Sequence, residues 1–205
     1  MKLGTSVLRR TAHSLAFILL LAQAAPAQDE RLTSLLEGAV TFSLPAEWAE
    51  QRHVDGPRHG YAHLKIPYAE AERAGQTARA ALSAGAVPPG VTVRHISDGV
   101  YQNKYEGLAV IRDDLDGDEW RTVVWKAKFD AAPYLTLHRF GVSAGKQVEL
   151  MVSLPLVEGA GADAWLARAV EQFNATCESL KIDGKNKFGT RLKPDKITAA
   201  LKAKR

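Results

Sequence analysis

Five carboxylates crowd around one glycine in the stretch Arg112–Arg121, RDDLDGDEWR. Asp114, Asp116 and Asp118 alternate, which is how a calcium loop offers its first oxygens. The rest of that loop is missing. A helix–loop–helix calcium site needs glycine at its sixth position and a bidentate Glu at its twelfth; here the glycine falls too early and the Glu is absent. Asp116-Gly117 is also a strong hairpin turn signal, because such turns need backbone with positive φ. With a tight turn there, paired residues sum to 233, so Val110 faces Val123, Leu108 faces Trp125 and Asp114 faces Glu119. The reading is a structural turn, with weak cation binding at its tip as the chemical alternative.

Histidine is the other ligand type present. His53, Asp55, His59 and His63 lie close together in HVDGPRHGYAH. Two histidines four apart bind one metal well on a helix, where positions i and i+4 meet. The local pattern is a strand, with Ala62, Leu64 and Ile66 alternating with Tyr61, His63 and Lys65. On a strand, positions four apart are separated by roughly 13 Å, so His59 and His63 should not ligate one ion. A metal-binding or hydrolytic site assembled in space from His53, His59, His63, His95 or His138 with nearby carboxylates is the alternative function.

Little else in the chain suggests catalysis. It has no G-x-S-x-G nucleophile elbow, no phosphate-binding loop and no dinucleotide fingerprint, so no cofactor is expected. Cys177 is the only cysteine; it falls among apolar helix positions and reads as buried and inert. Asn174-Ala175-Thr176 matches a glycosylation sequon, but in mid-helix.

Positioning these residues requires an antiparallel sheet. Ala39–Leu44 reads as a strand stopped by Pro45, and Gly60–Ile66 as a second stopped by Pro67. Ala69–Ala84 reads as an alanine-rich helix ending at Gly85. VTVRHI is a strand candidate. Val123, Trp125, Ala127 and Phe129 alternate with Thr122, Lys126 and Lys128, and Val148, Leu150, Val152 and Leu154 repeat the pattern, so one sheet face should be covered and the other wet. Around SAGK, pairs sum to 289, setting Leu137 opposite Val152 and Leu135 opposite Leu154. The cover is a helix whose stripe holds Trp165, Ala169, Phe173, Cys177 and Leu180.

The ends differ from the middle. Lys2, Arg9 and Arg10 precede the apolar run Leu15–Leu21 and the small residues Ala25–Ala27, the pattern of a cleaved export signal over residues 1–27. The run is too short for a membrane-spanning helix. One α+β domain is expected over 28–183, and a basic, mobile tail over 184–205. The pI of 9.2 reflects those ends, because 28–180 holds more acids than bases. Lys185, Lys187, Arg191, Lys193, Lys196, Lys202, Lys204 and Arg205 could meet an anionic surface. No nucleic acid is expected, because the cations lack interleaved aromatics.

The order of elements adds a resemblance. A strand ending in FSLPAEW (Phe42–Trp48), a second strand, a helix, antiparallel strands and a closing helix ending ESLKI resembles the PsbP-like domains over about residues 35–183. That family includes extrinsic photosystem II subunits and many small exported bacterial proteins. The resemblance implies an α/β/α sandwich around an antiparallel sheet, serving as a non-enzymatic accessory or binding module for a protein or envelope partner.

Overall fold

A computed structural model describes residues 30–98, 105–186 and 189–203. The expected signal segment 1–27, Lys187, Lys204 and Arg205 lie outside these. The fold is α+β, with antiparallel sheets and helices packed on them. A four-stranded sheet runs β1 (Glu30–Leu35), β2 (Val40–Pro45), β10 (Lys181–Ile182), β11 (Lys185–Asn186). A seven-stranded sheet runs β3 (Ala49–Val54), β4 (His59–Ile66), β5 (Ala78–Ala86), β9 (Lys146–Pro155), β8 (Ala132–Ser143), β7 (Trp120–Phe129), β6 (Ala109–Asp116). The helices are α1 (Ala69–Arg73), α2 (Val93–Ser97), α3 (Ala162–Ser179) and α4 (Pro194–Ala203).

The main core lies between one face of the large sheet and a layer made of α3, α4 and the small sheet. Leu64, Ile66, Ala80, Leu82, Val148, Leu150 and Val152 meet Leu35, Phe42, Trp48, Val170 and Phe173 there. A smaller core sits on the opposite face, where Val93 of α2 joins Val123, Trp125, Ala127, Phe140 and Val142. Strand β7 is therefore buried on both faces, contrary to the expected wet side.

Three sequence expectations change. The stretch read as a helix to Ala84 is helical only through Arg73; Gly75 turns the chain at φ +72, and β5 follows. Its inward positions are Ala78, Ala80, Leu82 and Ala84 and its outward ones Arg79, Ala81 and Ser83. VTVRHI is the short helix α2, opened by a capping box between Thr92 and His95. From its tip to Arg112 the hairpin β6–β7 pairs on a sum of 236: Asp116 faces Trp120, Asp114 faces Thr122 rather than Glu119, and Arg112 faces Val124; past a bulge at Ile111 the sum is 235, and Val110 faces Trp125 rather than Val123. Its loop is Gly117–Glu119, with Gly117 at φ +59. On its other edge β7 pairs with β8, which sets Trp120 opposite Gly141, where a Cβ would come within 2.4 Å of the indole; the ring occupies the place of the missing side chain. The β8–β9 hairpin has the expected register.

The C-terminal segment is not a loose tail. Leu192, Ile197 and Leu201 are buried. Asn174 accepts from the Leu192 N–H at 2.9 Å and donates to its carbonyl at 2.8 Å. The buried Arg139 donates to the Thr190 carbonyl at 2.6 Å. No helix among the described residues is long and apolar enough to cross a membrane.

Candidate functional site

Half of the second sheet face lies open. Across β4, β5, β9 and β8 the outward side chains form rows: His63, Ala81, Met151, His138; Tyr61, Ser83, Glu149, Phe140; His59, Gly85, Gln147, Val142. On β8 these positions are buried beneath the smaller core. No described helix packs over the remainder. Strand β5 offers only Ala81 and Ser83 to the open part of this stretch, flanked by larger side chains on β4 and β9, while Gly85 lies under the Gln147 side chain. Strands lie about 4.8 Å apart, so the result is a trough about 10 Å across with a floor of small residues.

The β4 wall is a run of rings. His59 and Tyr61 have centroids 5.9 Å apart, and Tyr61 and His63 5.1 Å. The Arg52 guanidinium lies 5.2 Å from the Tyr61 centroid, a cation–π distance. Arg79 is exposed at the end of β5, and Lys65 beside it pairs with Glu72 at 2.8 Å. Glu149 is the one acid in the strand rows. The face can hold a partner through aromatic contact and cationic side chains, with the rigid sheet fixing their positions.

His138 marks the boundary between open and covered halves. It is buried, and neither ring nitrogen has a hydrogen-bond partner. Burial pushes its pKa down, while Glu149, 3.9 Å away, pulls the other way. The neutral imidazole packs on Phe140 at 3.8 Å.

The histidines read from sequence do not assemble. His59 and His63 share the open face. His53 pairs with Ala62, which turns it to the other face, where Nε2 lies 3.1 Å from the Ser34 carbonyl. His95 is spent on the α2 cap, accepting from the Thr92 N–H at 3.0 Å. Among the described residues, no three His, Cys, Asp or Glu side chains gather as metal ligands.

The hairpin acids have local partners. Asp113 takes both bonds of a bidentate Arg121, at 2.9 and 2.8 Å, which holds its pKa down. Arg121 also reaches Ser97 and Asp98 at the end of α2, and Arg112 bonds Asp114. Arg121 thus links the hairpin acid Asp113 to the end of α2, while Asp116 and Asp118 remain exposed at the tip. Two tail cations are paired in the same manner, Arg191 with Glu171 and Glu178, and Lys202 with Asp163. Cys177 is buried, its thiol pushed up to about 11 by desolvation.

Tyr61, Arg52, Ala81, Ser83 and Glu149 were not singled out from sequence. The signal was the period-two pattern of β5, hidden because alanine fills both faces.

No protein-family model matches the chain, and no curated protein matches it. Among solved structures it is similar to a mutant of the protein Mog1, at 12% identity over 75% of this chain and 96% of that one, with a TM-score of 0.51. It is also similar to a Pseudomonas aeruginosa protein of unknown function described as a putative regulator, at 12% identity over 72% and 94% of the two chains, with a TM-score of 0.44. The Mog1 likeness is one of fold: an α+β sandwich.

Proposed function

We propose that the chain is an exported, PsbP-like accessory protein that acts by docking a partner in the cell envelope on its open sheet face. The observation that carries this reading is the asymmetry of that face. One half is sealed by α2 and its aromatic neighbours, while the half over β4, β5 and β9 keeps a ring-lined trough of small residues. Rings on a rigid sheet give contact area at little conformational cost. Arg52 and Arg79 outnumber Glu149, Lys65 being paired with Glu72, so the complementary surface is acidic. Lys185, Lys193 and Lys196 of the C-terminal segment are exposed and add attraction to an anionic envelope surface, screened by salt.

A photo-crosslinking side chain placed at Ser83 in the native host tests the docking. An adduct of one defined mass should form from Ser83, not from a control at the exposed Ala160, and should disappear in an Arg52→Glu/Arg79→Glu variant. Equal adducts from both positions, or none from Ser83, would overturn it. Export is tested separately by the mass of the native protein: processing should leave Gln28 as the first residue, and retention of residues 1–27 would defeat that part.

A further inference from the structure

A second concave site lies on the opposite side of the sheet, at the start of α3. Trp165 belongs to the helix stripe whose later members, Ala169, Phe173 and Cys177, are all buried. It is only partly buried and lines a cavity of about 260 Å³ with Ile66, Pro67 and Ala169. That is just under the roughly 300 Å³ at which pockets for drug-sized ligands begin, so the space suits a single ring.

The indole is held in place from behind. It stacks on Tyr68 with centroids 3.6 Å apart and planes 8° from parallel, and its Nε1–H points to the Pro67 carbonyl at 3.4 Å. The polar side of the cavity is Glu47, Arg168 and Gln172, fixed by a chain that starts in the core. The buried Trp48 donates from Nε1 to Gln172 Oε1 at 3.2 Å. Gln172 donates in turn to Glu47 Oε1, which Arg168 also reaches at 2.6 Å. Both of these hydrogen bonds end on Oε1 of Glu47, and none from the described residues reaches Oε2.

This arrangement selects by charge and shape. Glu47 and Arg168 neutralise each other, so neither a cation nor an anion gains from the site without opposing one of them. A hydroxyl group both donates and accepts: it can give its proton to Glu47 Oε2 while accepting from the adjacent guanidinium. An aromatic wall favours a ligand with a flat apolar face. A neutral ring that carries hydroxyls at its edge and C–H bonds on its face is a pyranose sugar. We propose that the cavity walled by Trp165, with Glu47 and Arg168 at its rim, binds a neutral pyranose unit of a glycan.

The indole N–H of Trp165 reports on the site. Its NMR cross-peak, assigned by its loss in Trp165→Phe, should shift saturably with at least one of chitotetraose, cellotetraose and maltotetraose at millimolar concentration. Glu47→Gln and Arg168→Ala should each weaken that binding about tenfold while the thermal midpoint shows both variants folded; should either fail to fold, the other decides. Tetragalacturonate and spermine, the charged controls, should leave the peak in place. No shift with any neutral probe, an equal shift with a charged control, or undiminished binding in the folded variants would overturn the proposal. None of these results bears on the Ser83 crosslink, because the two sites lie on opposite faces of the sheet.

Discussion

Asn174→Ala should release the C-terminal segment. In the folded chain the Asn174 carboxamide takes both backbone groups of Leu192, at 2.9 and 2.8 Å, inside the core. Each such bond contributes a net of about 0.5–1.5 kcal/mol, and each buried group left unpaired costs about 1–3 kcal/mol. If Leu192 stayed in place, the two orphaned groups would cost about 2–6 kcal/mol. The segment has an escape: it can detach and give those groups to water, at the expense of exposing Leu192, Ile197 and Leu201. That exchange limits the loss to about 2–4 kcal/mol, or roughly 4–16 °C in a chain of this size. Urea unfolding would measure it. Trypsin should then cut after Arg191 and Lys196 faster than in the parent, and the amides of Ile197 and Leu201 should lose hydrogen-exchange protection. Deleting residues 184–205 should lower the melting temperature for the same reason. A loss below about 1 kcal/mol in Asn174→Ala, with protection unchanged, would refute the packed segment.

Three further expectations follow from the core. Phe173→Ala should cost about 3–5 kcal/mol, since the ring is fully buried between α3 and the sheet; a loss below about 1 kcal/mol in urea unfolding would place α3 off the core. Gly141→Ala should cost about 1–3 kcal/mol by overpacking against Trp120, and much less in a Trp120→Leu background; an equal cost in both backgrounds would deny the contact. His138 has a folded pKa below its ordinary 6.5, so the unfolded chain takes up the proton first. Stability should hold above that value and fall as pH drops through and below it, less steeply in His138→Gln; parallel slopes in urea unfolding would show that another group is responsible.

Elements with one apolar face were legible in the residues: β2, β4, β9, α3 and the β8–β9 register all follow from simple alternation or a helical stripe. The errors share a cause. In β5, alanine on both faces looks like helix propensity, and only pairing with β4 and β9 decides between the two. In β7, Val123 and Val124 are both buried, on opposite faces, so aligning apolar residues of β6 with it cannot choose between neighbouring registers. Arg191 and Lys202 made the C-terminal segment look solvated, but acids spaced along α3 neutralise them, and three aliphatic side chains suffice because α3 supplies the rest of the core. The open trough was invisible for the same reason as β5, and the Trp165 cavity because a helix stripe does not say where its cover ends.

The burial of Cys177 ties redox chemistry to folding. In the packed chain its thiol ionises only near 11 and sits where no oxidant or second thiol can reach it. Before α3 docks, the same sulfur is an ordinary reactive thiol, and with no second cysteine in the chain its disulfide partner must be another molecule. Disulfide-linked dimer on a non-reducing gel therefore counts the molecules oxidised before they finished folding.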